Sequence, residues 1–322
     1  MPFKKISAFV IACLSLGLLS SCSDPFKSPL YSQSQADQKF LKICKEEFSY
    51  DVITKTVGNT QWIYLPIKES IFAFKANGKS APAEKKKFSV QFLDVRFEIK
   101  NSFRNFSLEY DIIPATKPPK DYGYGNAYSP EYTKKQNNIL TTITRVYFNI
   151  EEMPGETESN DPEAEQKRID LINDYVSRQK TPLFFVVVIA DITNGIESRG
   201  IFYFQDFRRY MAQEMPFEEY SQRYISEFSG DERIIGDTKG KYLEYRDISW
   251  EEFLTKQILN RVTFRYQTSS FPPGDNTPVE IARMIIEATS AYNFSDFTGV
   301  KLLDLRTNDT YLFDKSQLSA FK

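Results

Sequence analysis

The sequence predicts an α+β fold of hairpins and interleaved helices, and three observations carry the prediction. Segments with apolar residues at helical spacing are interleaved with segments of strand character. A helix–strand–strand order occurs three times, near residues 35–67, 162–205 and 278–314. Residues 183–189, LFFVVVI, form an unbroken apolar run, which suits a central strand covered on both faces. Hairpins mixed with helices, rather than strict strand–helix alternation, define the class. A divergent internal repeat would also produce the threefold order. The residues themselves do not repeat and the units start at uneven intervals, so common local α+β grammar is the preferred explanation.

Taken in order, the chain opens Met1-Pro2-Phe3-Lys4-Lys5 and then runs mostly apolar over residues 6–19. Two lysines before a short apolar run have the layout of a secretory signal. The run is shorter than the roughly 20 residues a spanning helix needs. It ends Leu19-Ser20-Ser21-Cys22, an aliphatic residue and two small ones before a cysteine. This resembles the lipobox of bacterial lipoproteins. The resemblance implies that residues 1–21 are removed and that Cys22 carries diacylglycerol, anchoring the chain to a membrane of the cell envelope. Ser23 rather than Asp after the cysteine implies sorting to the periplasmic face of the outer membrane, if the cell has two membranes. Residues 22–34, rich in Ser and Pro, read as a tether, and residues 35–322 as the α+β globular region, one large domain or two closely packed ones.

The globular region starts helical, with Phe40, Leu41, Cys44 and Phe48 on one face. Residues 50–57 and 61–67 read as strands around a Gly58-Asn59 turn, and residues 71–74 as a third strand. Residues 90–99 and 106–112 alternate as aromatic-rich strands. Ser129-Pro130 starts a helix reaching Tyr147, and Asp161-Pro162 another reaching Val176. The apolar run at 183–189 and a strand at 200–204 flank the Asn194-Gly195 turn. Residues 207–211 and 217–228 read as helices. Ser249-Trp250-Glu251-Glu252 and Thr277-Pro278-Val279-Glu280 are capping boxes that begin two more. Residues 300–305 and 310–313 flank Thr307-Asn308-Asp309 as a hairpin.

Composition narrows the chemistry. The chain holds 43 acidic and 41 basic residues and no histidine. Removing residues 1–21 takes Lys4 and Lys5, so 39 basic side chains face 43 acidic ones and the net charge is −4. That balance gives no electrostatic reason to expect nucleic acid. Without imidazole, triads built on histidine and the commonest metal ligand are gone. Nucleotide-binding glycine motifs, a G-x-S-x-G elbow and CxxC are also missing, and neither a cofactor nor a metal site is expected. Of three cysteines, the lipobox resemblance implies that Cys13 leaves with the signal and Cys22 takes lipid. Cys44 is left alone on a helical stripe as a small buried hydrophobe.

Two features merit inspection as sites. Asp191 follows the apolar run directly; at a strand end near Arg199, Arg208 or Arg209 it could be functional, whereas the blander role is to cap the Asn194-Gly195 turn or pair with an arginine. Residues 121–132, DYGYGNAYSPEY, interleave Tyr122, Tyr124 and Tyr128 with Gly123 and Gly125. Such rings suit contact with a protein or sugar, or they fold back onto the body of the protein. The leading expectation is a non-catalytic, lipid-anchored envelope protein that binds another protein or a wall polymer, as in assembly. The alternatives are a hydrolase using two carboxylates on an envelope polymer, and a solute-binding lipoprotein with a deep pocket between lobes.

Overall fold

The computed structural model describes residues 32–72, 88–100, 103–114, 130–148, 166–167, 169–170, 181–268 and 274–318. The class is α+β, with two mixed sheets and helices between and around them. In chain order the elements are α1 (Gln33–Phe48), β1 (Ile53–Val57), β2 (Thr60–Ile67), β3 (Phe88–Lys100), β4 (Phe103–Pro114), α2 (Pro130–Tyr147), β5 (Phe184–Asp191), β6 (Ile196–Tyr203), α3 (Phe204–Met211), α4 (Phe217–Arg223), β7 (Ile225–Gly230), α5 (Trp250–Thr268), α6 (Thr277–Ser290), β8 (Gly299–Asp304), β9 (Asp309–Asp314) and α7 (Lys315–Leu318). A short 3₁₀ turn lies at Glu232–Ile234.

The first sheet has the order β1-β2-β5-β6-β7, the second β3-β4-β8-β9. Each contains two hairpins joined by a parallel pair of inner strands, β2 with β5 in one and β4 with β8 in the other. Two of the three helix–strand–strand segments therefore share the first sheet, while the third supplies half of the second. Of the helix expected at 162–176, only residues 166–167 and 169–170 lie within the described residues, and these are helical.

Strand β5 is central and all eight of its residues are buried. Phe185, Val187 and Ile189 face Phe40 and Ile43 of α1, Ile139 and Ile143 of α2, and Phe207 of α3. Phe184, Val186 and Val188 face the other way, onto Ile234, Leu243, Ile248 and Phe253. At roughly 1.5–3 kcal/mol for each fully buried Val, Ile or Phe, this run alone is a major source of stabilisation. Among the described residues the apolar cover of the second sheet lies on one face. Leu108, Tyr110 and Ile112 of the LEYDI segment pack under Leu254, Ile258 and Val262 of α5 and Ile281 and Ile285 of α6. On the other face Arg96 pairs with Asp94, Glu98 and Glu109. Helix α5 serves both sheets, since the Phe253 ring packs tilted against Phe184, centroids 5.0 Å apart, while Leu254 and Ile258 enter the second core.

Several expectations are corrected. The helix read at 217–228 stops at Arg223, and 225–230 is strand β7, paired with β6 from Ile225↔Ile201 to Gly230↔Ile196. Tyr224 turns extended so that its ring crosses β6 at Gly200, where a Cβ would overlap the Tyr224 hydroxyl. Phe204 belongs to α3, not to the preceding strand. Thr277 lies inside α6, whose N-cap is Asn276, and its hydroxyl accepts from the Gly274 amide at 2.8 Å. Ser249 does accept from the Glu252 amide at 3.2 Å, but the Glu252 carboxylate turns to Arg246. Of the strand read at 71–74, Phe72 forms an isolated bridge and residues 73–74 lie outside the described residues.

Candidate functional site

The second face of the first sheet is closed by a segment without a long helix or strand, residues 231–249. Ile234, Leu243 and Ile248 are buried and supply its apolar contacts. Gly236 and Gly240 take φ of 72° and 63°, the left-handed region that glycine enters without a Cβ penalty. At Gly240 a side chain would strike Tyr245 and the Tyr64 ring. Polar groups then fasten the segment to strands far away in sequence. The Tyr64 hydroxyl donates to the Asp237 carbonyl at 2.6 Å, and the Trp62 indole N–H donates to the Arg246 carbonyl at 2.8 Å. The Gly236 amide donates to Ile192 O at 2.9 Å. Asp247 accepts from the Asn59 amide at 2.9 Å and the Thr60 hydroxyl at 2.8 Å, holding the β1–β2 turn. A Cβ on Gly58 would collide with this carboxylate.

Beneath the segment lies a polar floor. Glu197 is 3% exposed and accepts from Arg199 Nη2 at 2.7 Å, from the Ser229 hydroxyl at 3.1 Å and from the Tyr242 hydroxyl. Burial, reinforced by Glu197, drives the Tyr242 hydroxyl far above the ordinary tyrosine range. It is therefore a hydrogen-bond donor and not a base. Above it opens a shallow depression of about 590 Å³, lined by Arg233, Ile235, Asp237, Lys239, Lys241 and Tyr242, with Gly236 and Thr238. The carboxylate of Asp237 accepts from the amides of Lys239 at 2.9 Å and Tyr242 at 3.2 Å. Cations and an aliphatic side chain on this frame offer both charge and apolar contact to a ligand.

Asp191 is fully buried at the end of β5 and occupied on both oxygens. Oδ1 accepts from the amides of Thr193 and Asn194 at 3.1 and 2.9 Å. Oδ2 accepts from the amides of Ile71 and Phe72 at 2.9 and 3.2 Å and from Asn194 Nδ2 at 2.9 Å. It organises the Asn194-Gly195 turn and ties the chain after β2 to it; Arg199, Arg208 and Arg209 are not among these donors. Asp206, buried like Asp191 and Glu197, accepts from Arg223 Nη1 at 2.9 Å and the Tyr292 hydroxyl at 2.6 Å. Asp191, Glu197 and Asp206 stand in three separate networks. Cys44 is buried and free, and burial pushes its thiol up to about 12.

Cys22, Tyr122, Tyr124 and Tyr128 lie outside the described residues. Among the described residues no helix is long and apolar enough to cross a membrane, and no group of three or more His, Cys, Asp and Glu side chains is placed to hold a metal ion. The depression on 231–242 was not legible from sequence reasoning. Its local signal is thin: two glycines and one tyrosine in a stretch with neither helical nor strand period. No family model matches the chain, no curated protein matches it, and no solved structure matches its fold.

Proposed function

We propose that the chain is a lipid-anchored protein of the cell envelope that binds another protein there without catalysing a reaction, as a component of assembly, secretion or maintenance. The anchor is Cys22 in the lipobox, and residues 23–31 separate it from Ser32, which caps α1. In a cell with two membranes the anchor faces the periplasm from the outer membrane. The observation that carries the binding role is the depression on residues 231–242. It is held rigidly by distant hydrogen bonds yet presents Lys239, Lys241 and Ile235 to solvent. A carboxylate hydrolase would need two acids facing one cleft. Asp191, Glu197 and Asp206 instead spend their oxygens on structural donors, which favours the binding role over the enzymatic one.

The test is a photo-crosslinking residue placed at Lys239 in the full-length protein, activated in the native membrane and followed by mass spectrometry. Capture of a defined envelope protein is expected, with markedly less capture from a probe at Glu109 on the polar face of the second sheet. Equal capture at both positions, or none at either, would remove the binding role from this surface. The mass of the mature protein tests the anchor separately: an unmodified Cys22 would exclude it.

A further inference from the structure

The chemistry of the depression narrows its partner, on the premise of the binding role proposed above. Three of its lining side chains are cationic and exposed: Arg233, Lys239 and Lys241. Lys239 and Lys241 form no ion pair among the described residues. Arg233 is braced by Asp231, with Nε 3.0 Å from both carboxylate oxygens and Nη2 2.6 Å from one. The lone acid in the lining, Asp237, has its oxygens turned to the amides of its own loop. Glu232 and Glu244 lie outside the lining. Beside the cations Ile235 is 59% exposed, although its neighbour Ile234 is fully buried.

Exposed lysines usually form a solvated face, and what distinguishes these is their frame. The Asp237 carbonyl is fixed by Tyr64, the Gly236 amide by Ile192 O, and Tyr242 by Glu197 beneath. The backbone between the two lysines passes through Gly240, buried against Tyr64 and Tyr245. Ordering entropy that a mobile loop would lose on binding is already lost in folding. We infer that the depression receives an acidic segment of a partner protein, with carboxylates at Lys239 and Lys241 and an apolar side chain against Ile235. A phosphate-rich polymer would satisfy the lysines but has no group for the isoleucine.

The inference is tested on the mature protein by fluorescence anisotropy with three probes: a labelled peptide of repeating Glu-Leu-Glu, an all-Glu peptide of equal length, and labelled inorganic polyphosphate. The mixed peptide is expected to bind most tightly, and more weakly as salt screens the lysines. Lys239→Ala with Lys241→Ala should weaken it about twofold to thirtyfold, the range for two exposed charge pairs. Lys239→Arg with Lys241→Arg should retain binding, and Ile235→Ser should remove the advantage of the mixed peptide over the all-Glu one. Polyphosphate binding as tightly as the mixed peptide, or an affinity unmoved by the double alanine variant, overturns the inference. If no peptide binds while the Lys239 crosslinker still captures a protein, the acidic partner is wrong and the binding role stands. If both fail, both are wrong.

Discussion

Replacing Asp206 by Ala should be among the most damaging single changes available, although it removes only a few atoms. Asp206 lies in the first turn of α3 and Arg223 at the end of α4; they are 3% and 7% exposed. The carboxylate accepts from Arg223 Nη1 at 2.9 Å and from the Tyr292 hydroxyl at 2.6 Å. Gln257 of α5 donates to the same Tyr292 hydroxyl at 2.9 Å and to the Arg223 carbonyl at 3.2 Å. One carboxylate thus joins two helices beside the first sheet to helix α5 and to the turn after α6. Deleting one partner of a buried ion pair costs about 3–5 kcal/mol, because the other charge is left without compensation. Glu219, whose side chain is 42% exposed, still faces the second Arg223 nitrogen, so the low end of the range, about 3 kcal/mol, applies. Urea unfolding of the mature chain, followed by circular dichroism, measures the loss. Adding Arg223→Met to Asp206→Ala should recover a substantial part of it, since no buried charge is then stranded. A loss below about 1 kcal/mol for Asp206→Ala, or a double variant whose losses simply add, would refute the reasoning.

Two further outcomes follow from the same kind of bookkeeping. Burial holds the Cys44 thiol protonated up to about 12 against an ordinary 9.0, so the native protein should resist thiol reagents at pH 8 and react once unfolded. Because the folded-state value is raised, the stability tied to this group is intact below pH 9 and is lost as pH rises from 9 towards 12. The slope is up to about 1.4 kcal/mol per pH unit, and comparison with Cys44→Ala isolates it from the tyrosines and lysines. Fast labelling of the folded protein at pH 8 would contradict this. Gly200→Ala should cost about 1–3 kcal/mol in thermal or urea unfolding, because the added Cβ overlaps the Tyr224 hydroxyl. Tyr224→Leu in the same chain should relieve most of that clash, and a Gly200→Ala variant as stable as the parent would show that Tyr224 moves aside freely.

How far the fold could be read before the structure depended on where each element's stabilisation comes from. The β1–β2 hairpin, β5 and the β8–β9 hairpin were legible because turn residues and apolar runs lie within the element itself: Gly58-Asn59, residues 183–189 and Thr307-Asn308-Asp309. Strand β7 was misread because ISEFSG continues the helical pattern of α4, and only its pairing with β6 decides the matter. Asp191 could be named as a polar group at a strand end, but its amide donors at residues 71 and 72 are far upstream and leave no local trace.

Residues 231–249 are the extreme case, since the bonds that fix them come from Trp62, Tyr64, Asn59 and Thr60. Nothing within the segment has to repeat at a helical or strand period for those bonds to form. The sequence nonetheless required that such a cover exist. TQWIYLPI and FFVVVIAD are apolar at both odd and even positions, and each sheet face so generated must be shielded from water. Helices α1 and α2 shield one face, and on the other α5 reaches the sheet chiefly through Phe253 at its start. The remainder of that face falls to a loop, and a loop can shield a sheet only by pinning its own backbone polar groups. Pinning sends Ile234, Leu243 and Ile248 inward and leaves Ile235, Lys239 and Lys241 in water on a rigid frame. The surface proposed for binding is thus a by-product of covering a strand that is apolar on both sides.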